Sequence, residues 1–101
     1  MSEQDFTEWA VGLSSKAKKQ KGKLPSDICV LFLSLLIELR LKGPTQPSWP
    51  HYGKLAGRKE ETHHCHLNKS RPVYVAVWKV LNKRIKLMEV QYVGTHENTP
   101  Y

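Results

Sequence analysis

One stretch restricts the fold more than any other: an apolar run of helical length, closed at both ends by residues that halt helices. It begins at Pro25-Ser26-Asp27 and ends at Gly43-Pro44. Proline suits the first helical turn, Asp27 favours the positive end of the dipole, and Gly-Pro ends the run, so a helix is expected over about Pro25 to Lys42. Its apolar residues, Val30 to Leu33, Leu35 to Ile37, Leu39 and Leu41, cover more than the single stripe a helix needs on a small sheet. The surplus either packs against the rest of the chain or meets a partner.

The sequence on either side is of a different kind. Phe6 to Leu13 alternates loosely and reads as a first strand, after which Ser14 or Ser15 could cap a short polar helix reaching Lys23. Beyond the long helix, Pro44, Pro47 and Pro50 make Thr45 to Tyr52 an extended connector. Lys54 to Gly57 reads as a turn or strand edge. Glu61 to Leu67, Pro72 to Leu81 and Ile85 to Val93 read as strands, the last two joined at Asn82-Lys83-Arg84. The order β-α-α-β-β-β places the chain in the α+β class. In the final strand Ile85 and Leu87 have one parity and Met88, Val90 and Tyr92 the other, which calls for a bulge or for burial on both faces.

With 101 residues, 40% of them apolar, the chain has material for one domain, 1–101, with a modest core. Its longest apolar stretch is interrupted by Ser34 and falls short of the ~20 residues of a bilayer span, and the N-terminus lacks a signal-peptide pattern. A soluble, cytoplasmic protein without membrane association is expected. Cys29 and Cys65 are too few for a disulfide framework and are read as free thiols. The net charge is +7 and uneven: Lys16, Lys18, Lys19, Lys21 and Lys23 form one group, and Lys54, Arg58, Lys59, Lys69 and Arg71 surround the histidines. Such clusters either solubilise a face or attract phosphates through counterion release, and the second group, interleaved with histidines and aromatics, favours nucleic acid. In Thr62-His63-His64-Cys65-His66 alternate side chains face opposite ways. His64 and His66 therefore share one face, while His63 and Cys65 turn toward the helices or a sheet edge, where a buried imidazole bonded to a carbonyl is the ordinary arrangement.

The series KLAGRKEETHHCHLNKSRPVYVAVWKV followed by KLMEVQYVGTHENTPY resembles the second half of the RelE/ParE toxin superfamily, in particular the RelE-like mRNA interferases of bacterial toxin–antitoxin pairs. Gly94-Thr95-His96 is similar to the ending of the YafQ-type members. The resemblance implies a small twisted antiparallel sheet with two helices on one face and a basic concave face opposite, which binds messenger RNA in the ribosomal decoding site and cuts it without a metal or other cofactor. The nucleophile is the substrate's own 2′-hydroxyl, and a small antitoxin restrains the toxin. By the same resemblance His96 and His66 are catalytic, Tyr101 is a candidate beside them, and Lys54 and Arg71 contact phosphate; His64, on the face of His66, is a further catalytic candidate, and Arg58 and Lys69, from the basic group around the histidines, are further phosphate contacts. Gly94 is expected to let the backbone bend or approach the substrate closely.

Elementary chemistry is compatible with those roles. Breaking an RNA phosphodiester through the 2′-oxygen needs a base, an acid for the leaving 5′-oxygen, and cations for the charge that develops on phosphate. Histidine, with an ordinary pKa of ~6.5, can serve as base or acid near neutrality; His66 is assigned as base and His96 as acid. Two other readings compete. His64-x-His66 with His96 could form an open zinc site of a hydrolase, although no outer-shell carboxylate accompanies them. A ParE-like protein would bind a partner without cutting RNA, but such relatives generally lack a histidine-rich sheet.

Overall fold

The computed structural model describes residues 8–100; Phe6 and Thr7 of the expected first strand, and Tyr101, lie outside the described residues. The elements are β1 (Ala10–Leu13), α1 (Ser15–Lys21), α2 (Ser26–Lys42), β2 (Gly53–Leu55), β3 (Thr62–His66), β4 (Tyr74–Asn82), β5 (Leu87–Thr95) and a 3-10 turn, His96–Asn98. The expected α+β order is present, with the stretch read as a turn or strand edge at Lys54 supplying a short additional strand. Sheet order is β1-β5-β4-β3-β2. From β2 to β5 the pairing is antiparallel, whereas β1 lies parallel to β5, with Ala10 opposite Leu87 and Leu13 opposite Val90. The sheet is thus mixed, not antiparallel throughout: after the two helices the chain enters at the far edge as β2, and three antiparallel steps bring β5 back beside β1 in the same direction.

Both helices start and stop where the sequence marks them. Ser14 accepts a hydrogen bond from the Ala17 amide and caps α1, whose buried residue is Ala17. Pro25 precedes α2, and Gly43 ends it at φ 92°, a conformation that glycine adopts without strain. The Gly43 site is also crowded: an added Cβ would stand 3.0 Å from Trp9 Nε1. Residues 45–52 depart from the extended connector expected from their prolines. They fold into turns in which the Trp49 amide bonds Gln46 O and the Tyr52 amide bonds Trp49 O. Buried Gln46 donates to the carbonyls of Glu38 and Gly43 and so ties this turn to the end of α2.

The core lies between the helices and one face of the sheet. Ile28, Phe32, Leu35 and Leu39 of α2 meet Cys65, Ala76, Trp78, Met88, Val90 and Val93, and Trp78 Nε1 donates to Pro44 O at 3.0 Å. On the opposite face Val75, Val77 and Tyr92 form a second, smaller cluster, flanked by Leu55 and Val73. The parity conflict in the last strand is resolved by both devices at once. Trp78 pairs with Val90 while Val77 pairs with Tyr92, so Gln91 is an extra residue; Met88 and Val90 face the helices before it, and Val93 faces them after it. Residues 83–86 form the turn, so β5 begins two residues later than Ile85.

Beyond Leu13 the edge of β5 has no strand partner, and α1 covers it instead. Ser14 Oγ donates to Gln91 O, and Gln20 Oε1 accepts from the Val93 amide at 3.1 Å. The surplus of α2 remains uncovered: Val30, Leu33, Ile37 and Leu41 are 62, 42, 47 and 51% exposed along one side of the helix. Among the described residues no helix is long and apolar enough to cross a membrane.

Candidate active site

β3 sorts its side chains as the alternation requires. His63 and Cys65 are buried on the helix side, whereas His64 and His66 face the other way and are half-buried. Cys65 sits within the core, and burial pushes its thiol up to about 12. His63 does not bond a carbonyl. Its ring lies nearly parallel to Trp78, with Nδ1 2.7 Å from the Tyr52 hydroxyl and Nε2 2.7 Å from Glu61 Oε2. A neutral ring that donates from Nε2 and accepts the phenol proton at Nδ1 satisfies all three groups. Desolvation holds its pKa below the usual value, outweighing the Glu61 carboxylate that favours the cation. Glu61 in turn is held below the usual carboxylate range, chiefly by the Lys83 ammonium 2.9 Å away.

The Tyr52–His63 bond fastens the residue next to His51, and the His66 amide donates to Pro50 O, so the turn before β2 is tied to β3 at two points. His51 itself has φ 53°, left-handed backbone that strains a residue with a side chain and that histidine tolerates better than most. Its ring stacks on His66 with centroids 4.2 Å apart. From the opposite end of the fold, β5 runs out at Thr95 and His96 opens the 3-10 turn, its amide bonded to Val73 O. The His96 ring meets His66 edge-on at 5.2 Å and 77°. His66 is therefore bracketed by two imidazoles delivered from distant parts of the sequence. Its pKa is lowered, first by desolvation and then by the charges of His51, His96 and His64. A neutral His66 near pH 7 follows, and protons on neighbouring rings make a second one on His66 harder to hold.

Two hollows meet at His66. One, of ≈ 540 Å³, is lined by His66, Arg71, Pro72, Val73, His96 and Glu97. The other, of ≈ 460 Å³, adjoins it through His66 and Val73 and is bordered by His51 and Lys69. Arg71 and Lys69 ride on the loop between β3 and β4, which Asn68 organises: its side-chain nitrogen donates to Ser70 O and Pro72 O, and its oxygen accepts from the Tyr74 amide. Four of the residues singled out in the sequence, His66, His96, Arg71 and Lys69, thus line one connected depression. His64 shares their face and its pKa is lowered by burial, but its ring lies over Gly53, where an added Cβ would be 3.0 Å from His64 Nε2.

The other basic candidates are not gathered there. Lys54 pairs with His63 in the β2–β3 register and so projects from the helix side of the sheet. Arg58 borders a separate hollow with Lys16 and Lys79. His51 escaped the sequence reading, since a histidine after Pro50 in a turn carries no strand parity to place it. Among the described residues no three His, Cys, Asp or Glu side chains are arranged to hold a metal ion. Gly94 has a role unlike the one expected: an added Cβ would come within 2.7 Å of the Tyr92 hydroxyl, which donates to Thr95 O at 2.8 Å. The missing side chain makes room for that phenol beside the residue preceding His96.

No family model matches the sequence, and no curated protein matches it. Among solved structures, the archaeal RelE-RelB complex from Pyrococcus horikoshii OT3 contains a chain that superposes with a TM-score of 0.72 at 16% identity, covering 91% of this chain and 99% of that one. At such an identity the likeness is one of architecture, and this chain has a RelE-like fold.

Proposed function

We propose that the chain is the toxin of a toxin–antitoxin pair, an endoribonuclease that cuts messenger RNA at the ribosome through attack of the substrate's 2′-oxygen. The observation that carries this reading is the contact of His66 with both His51 and His96 at the rim of a hollow that also holds Arg71. A lowered pKa makes His66 a competent base for the 2′-hydroxyl proton. Exposed His96, 5.2 Å away, is the acid that protonates the departing 5′-oxygen. Arg71, with Lys69 beyond His66, neutralises charge on the non-bridging oxygens as the pentacoordinate transition state forms. His51 stacks on the base and fixes the plane of its ring, and its own charge disfavours the protonated form of His66. Proton transfer of this kind gives typically ~10²–10⁴-fold in rate.

The structural neighbour is a RelE-RelB complex, which supports a small antitoxin as partner. The exposed apolar side of α2 is a suitable seat for an amphipathic helix from such a protein, and acidic residues on it would answer the basic sheet face. The cytoplasm, where ribosomes and both partners meet, is the proposed location. A translation extract supplied with purified chain, stripped of metal by EDTA and then freed of the chelator, tests the reading. Messages should be cut within the open reading frame by the wild type, and His96→Ala should leave them intact. Equal inhibition of translation by both proteins, with uncut messages, would instead support a toxin that acts by binding alone.

A further inference from the structure

The face that carries the histidines has a second concentration of positive charge, away from them. Lys16 of α1, Arg58 and Lys59 of the β2–β3 loop, and Lys79 of β4 converge on a hollow of ≈ 320 Å³ floored by Thr62 and Val77. Three separate elements bring these cations together, and the carboxylate at the rim, Glu60, stands a full 4.0 Å from Lys79 Nζ. Lys16 also reaches across the Tyr92 ring, with Nζ 5.8 Å from its centroid, and borders a further hollow that includes Thr95 and Asn98. A basic path therefore leads along the sheet face to the 3-10 turn that holds His96.

Register gives the distance. Thr62 and Lys79 pair across β3 and β4, and so do His66 and Val75, four residues along the same strands. At ~3.3 Å per residue the two rows are about 13 Å apart. At a rise of ~3.4 Å per stacked nucleotide, roughly four nucleotides cover that distance.

We propose that the Lys16–Arg58–Lys59–Lys79 hollow is a second phosphate subsite, which grips the backbone of a single RNA strand a few nucleotides from the bond presented to His66 and His96. The proposal rests on reading the histidine cluster as the place where RNA is cut. An RNA strand fits better than an acidic protein segment because the hollow shares a face with the histidines at a nucleotide-scale spacing. Phosphates also need only cations, without an apolar anchor.

Fluorescence anisotropy with 2′-O-methyl RNA, which binds but cannot be cut through the 2′-oxygen, provides the test. A trinucleotide reaches only the histidine hollow; a dodecanucleotide reaches both. In the double variant Arg58→Gln, Lys79→Gln, the dodecanucleotide should bind roughly tenfold more weakly at 100 mM salt, with the slope of log K against log salt reduced by about 1.4, or 0.7 for each lost contact. Trinucleotide binding should change less than about twofold, and an unchanged urea midpoint verifies that the variant is folded. Unaltered dodecanucleotide affinity and slope would overturn the subsite while leaving the histidine site standing, as would equal losses for both oligomers. Failure of the wild type to bind either oligomer would also overturn the subsite, while the translation extract would still test the histidine site. Hexaglutamate that displaces the dodecanucleotide more effectively than unlabelled RNA would make the hollow a protein-docking surface and contradict the proposal.

Discussion

Replacing Gly94 by alanine isolates the packing that delivers His96. In an unobstructed strand the change would stabilise the protein by about 0.4–1 kcal/mol, because alanine loses less chain entropy on folding. Here the new Cβ would stand 2.7 Å from the Tyr92 hydroxyl, closer than such atoms approach in folded proteins, and 3.0 Å from its Cζ, which is also tight. The phenol cannot simply swing away. Tyr92 is buried against Val75 and Val77, and its hydroxyl donates to Thr95 O at 2.8 Å. Overpacking of this kind costs about 1–3 kcal/mol, and loss of the hydrogen bond adds about 1. The unfavourable contributions win, and a net loss of about 1.5–3 kcal/mol is expected, a large share of the ~5–15 kcal/mol that holds a domain of this size. Urea unfolding followed by tryptophan fluorescence measures it. Removing the hydroxyl relieves the closest contact, so Gly94→Ala in a Tyr92→Phe background should cost at least about 1 kcal/mol less than in the wild type. An equal loss in both backgrounds, or a loss under about 0.5 kcal/mol in the wild type, would refute the steric reasoning.

Other outcomes follow from the same contacts. Stability should fall in acid from two sources: His63, His64 and His66 have folded pKa values below the usual 6.5, so the stability they contribute is complete above 6.5 and is lost as pH falls through their folded values. Glu61, held below 4.5, adds a further loss as pH drops below that value, and urea midpoints from pH 8 down to about 2.5 check both windows. Cys65, with its thiol raised to about 12 and fully buried, should resist iodoacetamide in the native protein and be alkylated only on unfolding, which mass spectrometry reads site by site. Asn68→Ala should destabilise by about 1–3 kcal/mol, because it frees the Tyr74 amide and two loop carbonyls. Because that loop carries Arg71, the same variant should lower RNA cleavage more than a stability change alone accounts for.

The sequence displays its elements more openly than their assembly. Pro25 and Gly43-Pro44 bracket α2 to within a residue, since caps act locally, and the alternation in Thr62 to His66 separates His64 and His66 from His63 and Cys65 before any coordinates. The parallel placement of β1 is a matter of tertiary pairing that four residues, Ala10–Leu13, cannot encode by pattern. The clash of parities in the last strand leaves a bulge and burial on both faces open, and the bulge at Gln91 separates Tyr92 from Met88 and Val90, which alternation alone groups together. The turns at 45–52 depend on Gln46 reaching back to Glu38 and Gly43, contacts that the prolines do not announce. His51 shows the limit most clearly, because its place beside His66 depends on a left-handed residue and on Tyr52 bonding buried His63. Lys54 shows the reverse: its spacing from the histidines suggested a shared site, and the β2–β3 register turns it to the other face.

The account depends most on the 2′-oxygen as nucleophile, with His66 taking its proton. A message carrying one 2′-deoxynucleotide immediately 5′ of the cut phosphate, offered on ribosomes to the wild-type chain, tests this directly. The account predicts that cutting at that phosphate disappears while neighbouring ribonucleotide positions remain susceptible, and that the unmodified message yields a 2′,3′-cyclic phosphate end. Undiminished cutting beside the deoxynucleotide would contradict it, because a nucleophile from elsewhere would then be breaking the strand.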